Sequence, residues 1–145
     1  MNTKLLDQHG PKTYALVFDK GDELVDGLMQ FARQHNLDAA SFTGIGAFSS
    51  ATLGYFDRER MDYAKIPIDE QVEVLTLAGN IAFDTSRREP KIHAHVIVGR
   101  ADGSTLGGHV LVAHVWPTLE VVLVETPAHL RRATDSETGL ALLVL

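Results

Sequence analysis

Apolar and polar positions along this chain alternate mostly with the two-residue period of strands, and one segment carries the helical period. Thr13-Tyr14-Ala15-Leu16-Val17-Phe18 reads as a first strand. Leu24, Leu28 and Phe31, flanked by Val25 and Ala32, then recur at spacings of three and four. That stripe predicts one helix over residues 22–35, N-capped by Asp19 and stopped at Asn36, with Asp22 and Glu23 suited to its positive end. Strand patterns follow at 39–48 and 51–56, with Ser49-Ser50 as a turn, and at 72–77 and 80–83, separated by Ala78-Gly79. Residues 57–69 are polar and contain Pro67, which suits a loop or an edge strand. A charged loop at 84–90 leads into two apolar runs around His93, His95 and His109. The second run is expected to end in a turn at Trp116-Pro117-Thr118, followed by strands at 119–125, 130–134 and 140–145. Connections this short exclude helical crossovers, so the sheet is expected to be mostly antiparallel. The expected class is an α+β domain with one main helix near the N-terminus.

The register of the two histidine-bearing runs can be tested on paper. If the loop between them is only Asp102-Gly103, His109 falls on the face of Ala94, Val96 and Val98. If the loop is Ala101-Asp102-Gly103, with Gly103 left-handed, His109 lies opposite His95 and diagonal to His93. Ile92, Ala94, Val96, Val98, Leu106, Val110 and Val112 then all share the other face. A one-residue slip moves every side chain to the wrong side, so the cleaner segregation selects the three-residue loop. Directly opposed Cβ atoms lie about 5 Å apart and diagonal ones about 7–8 Å, within reach of a shared ion. Three imidazoles on one face suit a divalent transition metal such as zinc with an open fourth position. The competing reading is a set of half-buried, hydrogen-bonding histidines. Carried across the expected turn at 116–118, the register sets His114 against Glu120 as a cross-strand pair and His109 against Glu125. Glu125 would then stand in the ligand pocket, to orient an imidazole, bind the metal, or act as a base. His9, His35 and His129 are expected on the surface.

Composition narrows the picture. The 145 residues are 45% hydrophobic and 22% charged, enough for one folded domain over 1–145, with 1–12 as a terminal segment. No cysteine is present, which excludes disulfides and thiolate ligands. The net charge of −6 argues against DNA binding by the domain itself. Arg87-Arg88 with Lys91, and Arg131-Arg132, read as solvated surface. Residues 1–7 lack the apolar core of a signal peptide and no run reaches the ~20 apolar residues of a membrane span, so a cytoplasmic location is expected and no membrane partner. Gly44-Ile45-Gly46 is followed by no helix, which argues for close backbone approach or a bulge and against a dinucleotide site.

Taken together, Gly44-Ile45-Gly46-Ala47, Leu75-Thr76-Leu77-Ala78-Gly79-Asn80, His93-Ala94-His95, Asp102-Gly103 and Gly107-Gly108-His109 closely resemble the plants-and-prokaryotes conserved (PPC) domain, which in plants accompanies AT-hook nuclear proteins. The resemblance runs from about Thr13 onward. It implies a compact α+β domain, a homotrimer, and a zinc site at His93, His95 and His109. The Arg-Gly-Arg-Pro core of the AT-hook is absent here. Three readings compete. The first is a trimeric zinc-binding module that holds a small anionic ligand or a partner, with a regulatory role open. The second is a DNA-binding, transcription-associated protein. The third is a zinc-dependent hydrolase or lyase with Glu125 as base. The first is carried forward.

Overall fold

The computed structural model describes residues 1–7, 10–126 and 130–144. Its elements are β1 (Asn2–Asp7), β2 (Thr13–Phe18), α1 (Leu24–His35), β3 (Ala39–Asp57), β4 (Asp62–Ile68), β5 (Val72–Asp84), β6 (Glu89–Gly99), β7 (Thr105–Glu125), β8 (Arg131–Thr134) and β9 (Ala141–Val144). It is an α+β fold built mostly of strands. The strands run in the order β1-β2-β7-β3-β5-β8-β9, with β4 on β3 and β6 joining β5 to β7. Because β3 pairs with β5, β5 with β6, β6 with β7 and β7 with β3, these four strands close on themselves. Every pairing is antiparallel except the short parallel contact of β5 with β8.

The helix lays Leu24, Leu28, Phe31 and Ala32 onto the sheet, against β6 and β7. Phe18, Phe48, Leu53, Leu77, Ile81, Leu119 and Leu123 complete a fully buried core. The N-cap is Glu23 and not Asp19: the Glu23 carboxylate accepts from the Asp26 N–H at 2.7 Å and from the Ala113 N–H at 2.9 Å. Asp19 and Asp22 instead flank the Met1 ammonium at 3.2 and 2.8 Å. Asn36 closes the helix in the left-handed conformation, as its type favours.

Three expected breaks are not breaks. β3 passes straight through Ser49-Ser50, with bulges that reset its alternation so that Phe48 and Ala51 are both buried. β5 passes through Ala78-Gly79, where the missing side chain of Gly79 leaves room for the Phe42 ring and the His93 carbonyl. β7 continues through a cis Trp116–Pro117 bond for 21 residues and does not turn. Long strands hidden behind turn-like residues are the common error: pairing on both sides outweighs local turn preference. The terminal segment differs too, since β1 pairs with β2 from Asn2 to Asp7. Val112 leaves the apolar face because a register shift opposite Thr52/Leu53 flips the alternation of β7, and it is 41% exposed. Gly44-Ile45-Gly46 does form a bulge against β5, and a side chain at Gly44 would meet the Glu120 carbonyl at 2.9 Å. No helix among the described residues is long and apolar enough to cross a membrane.

Candidate metal centre

The β6–β7 hairpin fixes the histidines. Arg100 N–H donates to the Ser104 carbonyl at 2.9 Å, and Gly103, at φ +84°, donates to the Arg100 carbonyl at 2.9 Å. Asp102 ties the loop by accepting from the Ser104 N–H and hydroxyl at 2.9 and 2.6 Å. The loop is thus Ala101-Asp102-Gly103, and His95 stands directly opposite His109. His93 and His95 share their strand's same face, and their Nε2 atoms are 3.1 Å apart. Centroid to centroid, the His93 ring lies 5.0 Å from that of His95 and 5.2 Å from that of His109, and His95 lies 5.5 Å from His109.

One nitrogen from each imidazole falls within 4.8 Å of the other two. Two nitrogens held about 2.0–2.1 Å from a tetrahedral zinc are separated by roughly 3.3 Å, so this spacing fits an ion. The His109 Nδ1 is buried without a hydrogen-bond partner, a cost that coordination through that nitrogen would remove. Burial, reinforced by the neighbouring His93 and His95, pushes His109 down to about 4. His93 is also lowered, first by burial and then by the Arg132 guanidinium. Both shifts favour the neutral imidazole, the form that ligates a metal.

The Tyr63 ring stacks on His109 at 4.8 Å and 21°, and is itself held edge-on by Phe56. It arrives on β4, which pairs Tyr63 with Phe56. Only glycine at position 54 admits it, since a Cβ there would lie 2.6 Å from the Tyr63 ring. Beside the imidazoles runs an open groove of about 650 Å³, lined in part by Gly54, Tyr55, Tyr63, His95 and Gly107.

The model of the Plants and Prokaryotes Conserved (PCC) domain matches residues 7–127. This chain belongs to that family. A metal-containing protein of Archaeoglobus fulgidus is 34% identical, with a TM-score of 0.85 over 98% of this chain and 99% of that one. A plant- and prokaryote-conserved protein of Pyrococcus horikoshii is 29% identical, with a TM-score of 0.85 over 99% and 95%. A protein of Ralstonia eutropha JMP134, described only as a candidate DNA-binding protein, is 33% identical, with a TM-score of 0.83 over 91% and 90%. The bifunctional protein GlmU of Synechococcus sp. (strain JA-3-3Ab) is 32% identical over 131 residues, 88% of this chain. The chain spans about a fifth of the length of such curated relatives. An alpha-acetolactate decarboxylase of Bacillus subtilis, at 13% identity and a TM-score of 0.61, shares the fold.

Within this PCC domain the three histidines converge, and Glu125 does not join them. Glu125 ends β7 opposite Ala40, donates its N–H to the Lys12 carbonyl at 2.9 Å, and sets its carboxylate 4.0 Å from the Lys12 ammonium. The expected turn would have folded it back to His109, but the unbroken strand carries it to the far end. For the same reason His114 faces Ser50 and bridges Glu23, while Glu120 pairs with Ile45 and Val17. His35 is exposed, with its ring 4.2 Å from Phe31. His9 and His129 lie outside the described residues. Arg131 lies 5.1 Å over the Phe83 ring and 3.5 Å from Asp38. Arg132, expected in solvent, is 3% exposed and lines the floor beside His93 and His109. Tyr63, Gly54 and Arg132 escape sequence reasoning because nothing in their local pattern shows what they face; Gly54 inside a strand is the one signal that a close approach occurs there.

Proposed function

We propose that this PCC domain is a zinc-binding module, with the ion on His93, His95 and His109 and the fourth position open to a small anionic ligand. The convergence of three imidazole nitrogens within 4.8 Å of one another carries this reading. When bound, the ion supplies a Lewis-acidic position for an oxygen ligand. Around it this chain's own groups act on orientation: Tyr63 holds the His109 ring by stacking, and Gly54 makes space for Tyr63. Glu125 is too remote to serve as a base, which leaves the hydrolase or lyase reading without its proton acceptor.

The homotrimer implied by the resemblance belongs to the same reading. Val17, Ile45 and Val122 stand on one outer face of the neighbouring strands β2, β3 and β7, and Ile45 is 60% exposed. Exposed apolar side chains grouped in this way around Glu120 suit association. Light scattering tests it: a mass near three times 15.8 kDa is expected, and a monomer removes the proposal.

Elemental analysis after zinc incubation and dialysis tests the metal. One zinc per chain is expected in the wild type and none in His93→Ala or His109→Ala, with circular dichroism unchanged. Zinc retained by either variant, or absent from the wild type, ends the proposal. The DNA-binding reading, suggested by the Ralstonia relative, is answered by a gel shift at modest salt; the acidic charge leads us to expect no retardation.

A further inference from the structure

Arg132 is the least conventional side chain in the molecule. It is 3% exposed, yet no carboxylate among the described residues lies within ion-pairing distance of it. One terminal nitrogen donates to the Ala141 carbonyl at 2.8 Å and the other to the Asn80 side-chain oxygen at 2.6 Å. Both acceptors are neutral. Nε is buried without any partner. A guanidinium carries five N–H donors, so three remain unused, Nε–H among them. The carboxylate whose charge Arg132 feels is Asp84, whose Oδ1 is already committed to the Ser86 N–H and hydroxyl and the Arg87 N–H.

Burying a cation without a carboxylate in direct contact is expensive. Arg132 lines a cavity of about 110 Å³ together with Lys91, His93, His109 and Tyr63. That cavity therefore has two cationic side chains and two imidazoles, and no acidic one. A divalent ion held by the three imidazoles would make the charge imbalance larger. At the roughly 30 Å³ that a water occupies in the liquid, the space holds about four non-hydrogen atoms.

We propose that Arg132 forms the floor of an anion subsite beside the histidine cluster, and that its occupant is a small planar oxyanion, a carboxylate or a carbonate. The fork of Nε–H and an adjacent terminal N–H matches the two oxygens of such a group, as a spherical or tetrahedral anion does not. Asn80 holds the guanidinium at the correct angle from β5, directly opposite His93 in register. Lys91 adds long-range attraction from the cavity wall. The subsite names the anion left open in the metal reading and rests on that reading only for its orientation toward the fourth position.

The test uses ¹⁵N-labelled protein at constant ionic strength, titrated with sodium acetate and, separately, with sodium bicarbonate, each with and without one equivalent of zinc. The Arg132 Nε–H resonance, assigned through Arg132→Met, is expected to move saturably with at least one of the two anions. The tighter of the two identifies the source of the group. Calorimetry should show binding weakened at least about tenfold in Arg132→Met, which keeps the stem's bulk, and partly restored in Arg132→Lys. An Nε–H resonance unmoved by both anions overturns the subsite even if the variants fail to fold, because that readout is made on the wild type. Unchanged affinity in a folded Arg132→Met does the same. Zinc binding with an unmoved resonance refutes the subsite alone, whereas a responsive resonance in protein that takes up no zinc refutes the metal reading alone.

Discussion

The two ends of β7 obey different rules. Over residues 119–125 the strand alternates cleanly: Leu119, Val121 and Leu123 are buried, and Glu120, Val122 and Val124 face out. Over residues 105–114 the strand is thinned by Gly107 and Gly108 and shifted by a bulge. That end also faces two buried atoms without partners, His109 Nδ1 and Arg132 Nε. One end alternates for packing and is followed by a single such atom, Thr126 Oγ1; the other gathers two of them around the histidines. Violations of local rules concentrate where a site is built, because binding groups must be left free to bind.

The comparison breaks most sharply under mutation. Leu123→Ala should destabilise the fold by about 2–5 kcal/mol in urea unfolding while the folded protein still takes up one zinc, since the residue is fully buried and remote from the histidines. Loss of zinc from the folded variant would show that the two ends are not independent. Gly54→Ala comes next. Its methyl group would press on the Tyr63 ring, at about 1–3 kcal/mol of strain or a displaced Tyr63. Zinc affinity should fall severalfold by competition with a chelator, with only a modest drop in melting temperature. An affinity equal to wild type would remove Tyr63 from the site.

The smallest effect is in pH. The folded protein holds His109 near 4, below its ordinary 6.5, so between those values the unfolded chain binds more protons than the folded one. The stability associated with neutral His109 is complete above about pH 6.5 and is lost as pH falls toward 4. Metal-free protein should therefore show a urea midpoint that declines from pH 7 to 5, and His109→Gln should flatten that decline. An identical decline in the variant would assign it to other groups, such as His93, which burial also lowers from its ordinary value.

The convergence of the three imidazoles was legible because strand periodicity and one turn residue decide it: two histidines at i and i+2, and Gly103 setting the register of the third. β2 and the body of α1 were equally plain, because each carries a local pattern. Glu125 was misplaced because Trp116-Pro117-Thr118 looks like a turn when seen alone. Only pairing with β3 on one side, and then with β2 on the other, shows that it is strand.

What the chain determined by itself is short in range: strand and helix periods, the β6–β7 hairpin, and the side of the sheet on which the histidines fall. These depend on neighbours within about a dozen residues, where turn chemistry and alternation act. The tertiary structure decided which distant segments close around those histidines: Tyr63 from β4, Gly54 from β3 and Arg132 from β8. Their roles come from pairing between separate strands, set by the balance of burial over the whole sheet. No local pattern encodes that balance.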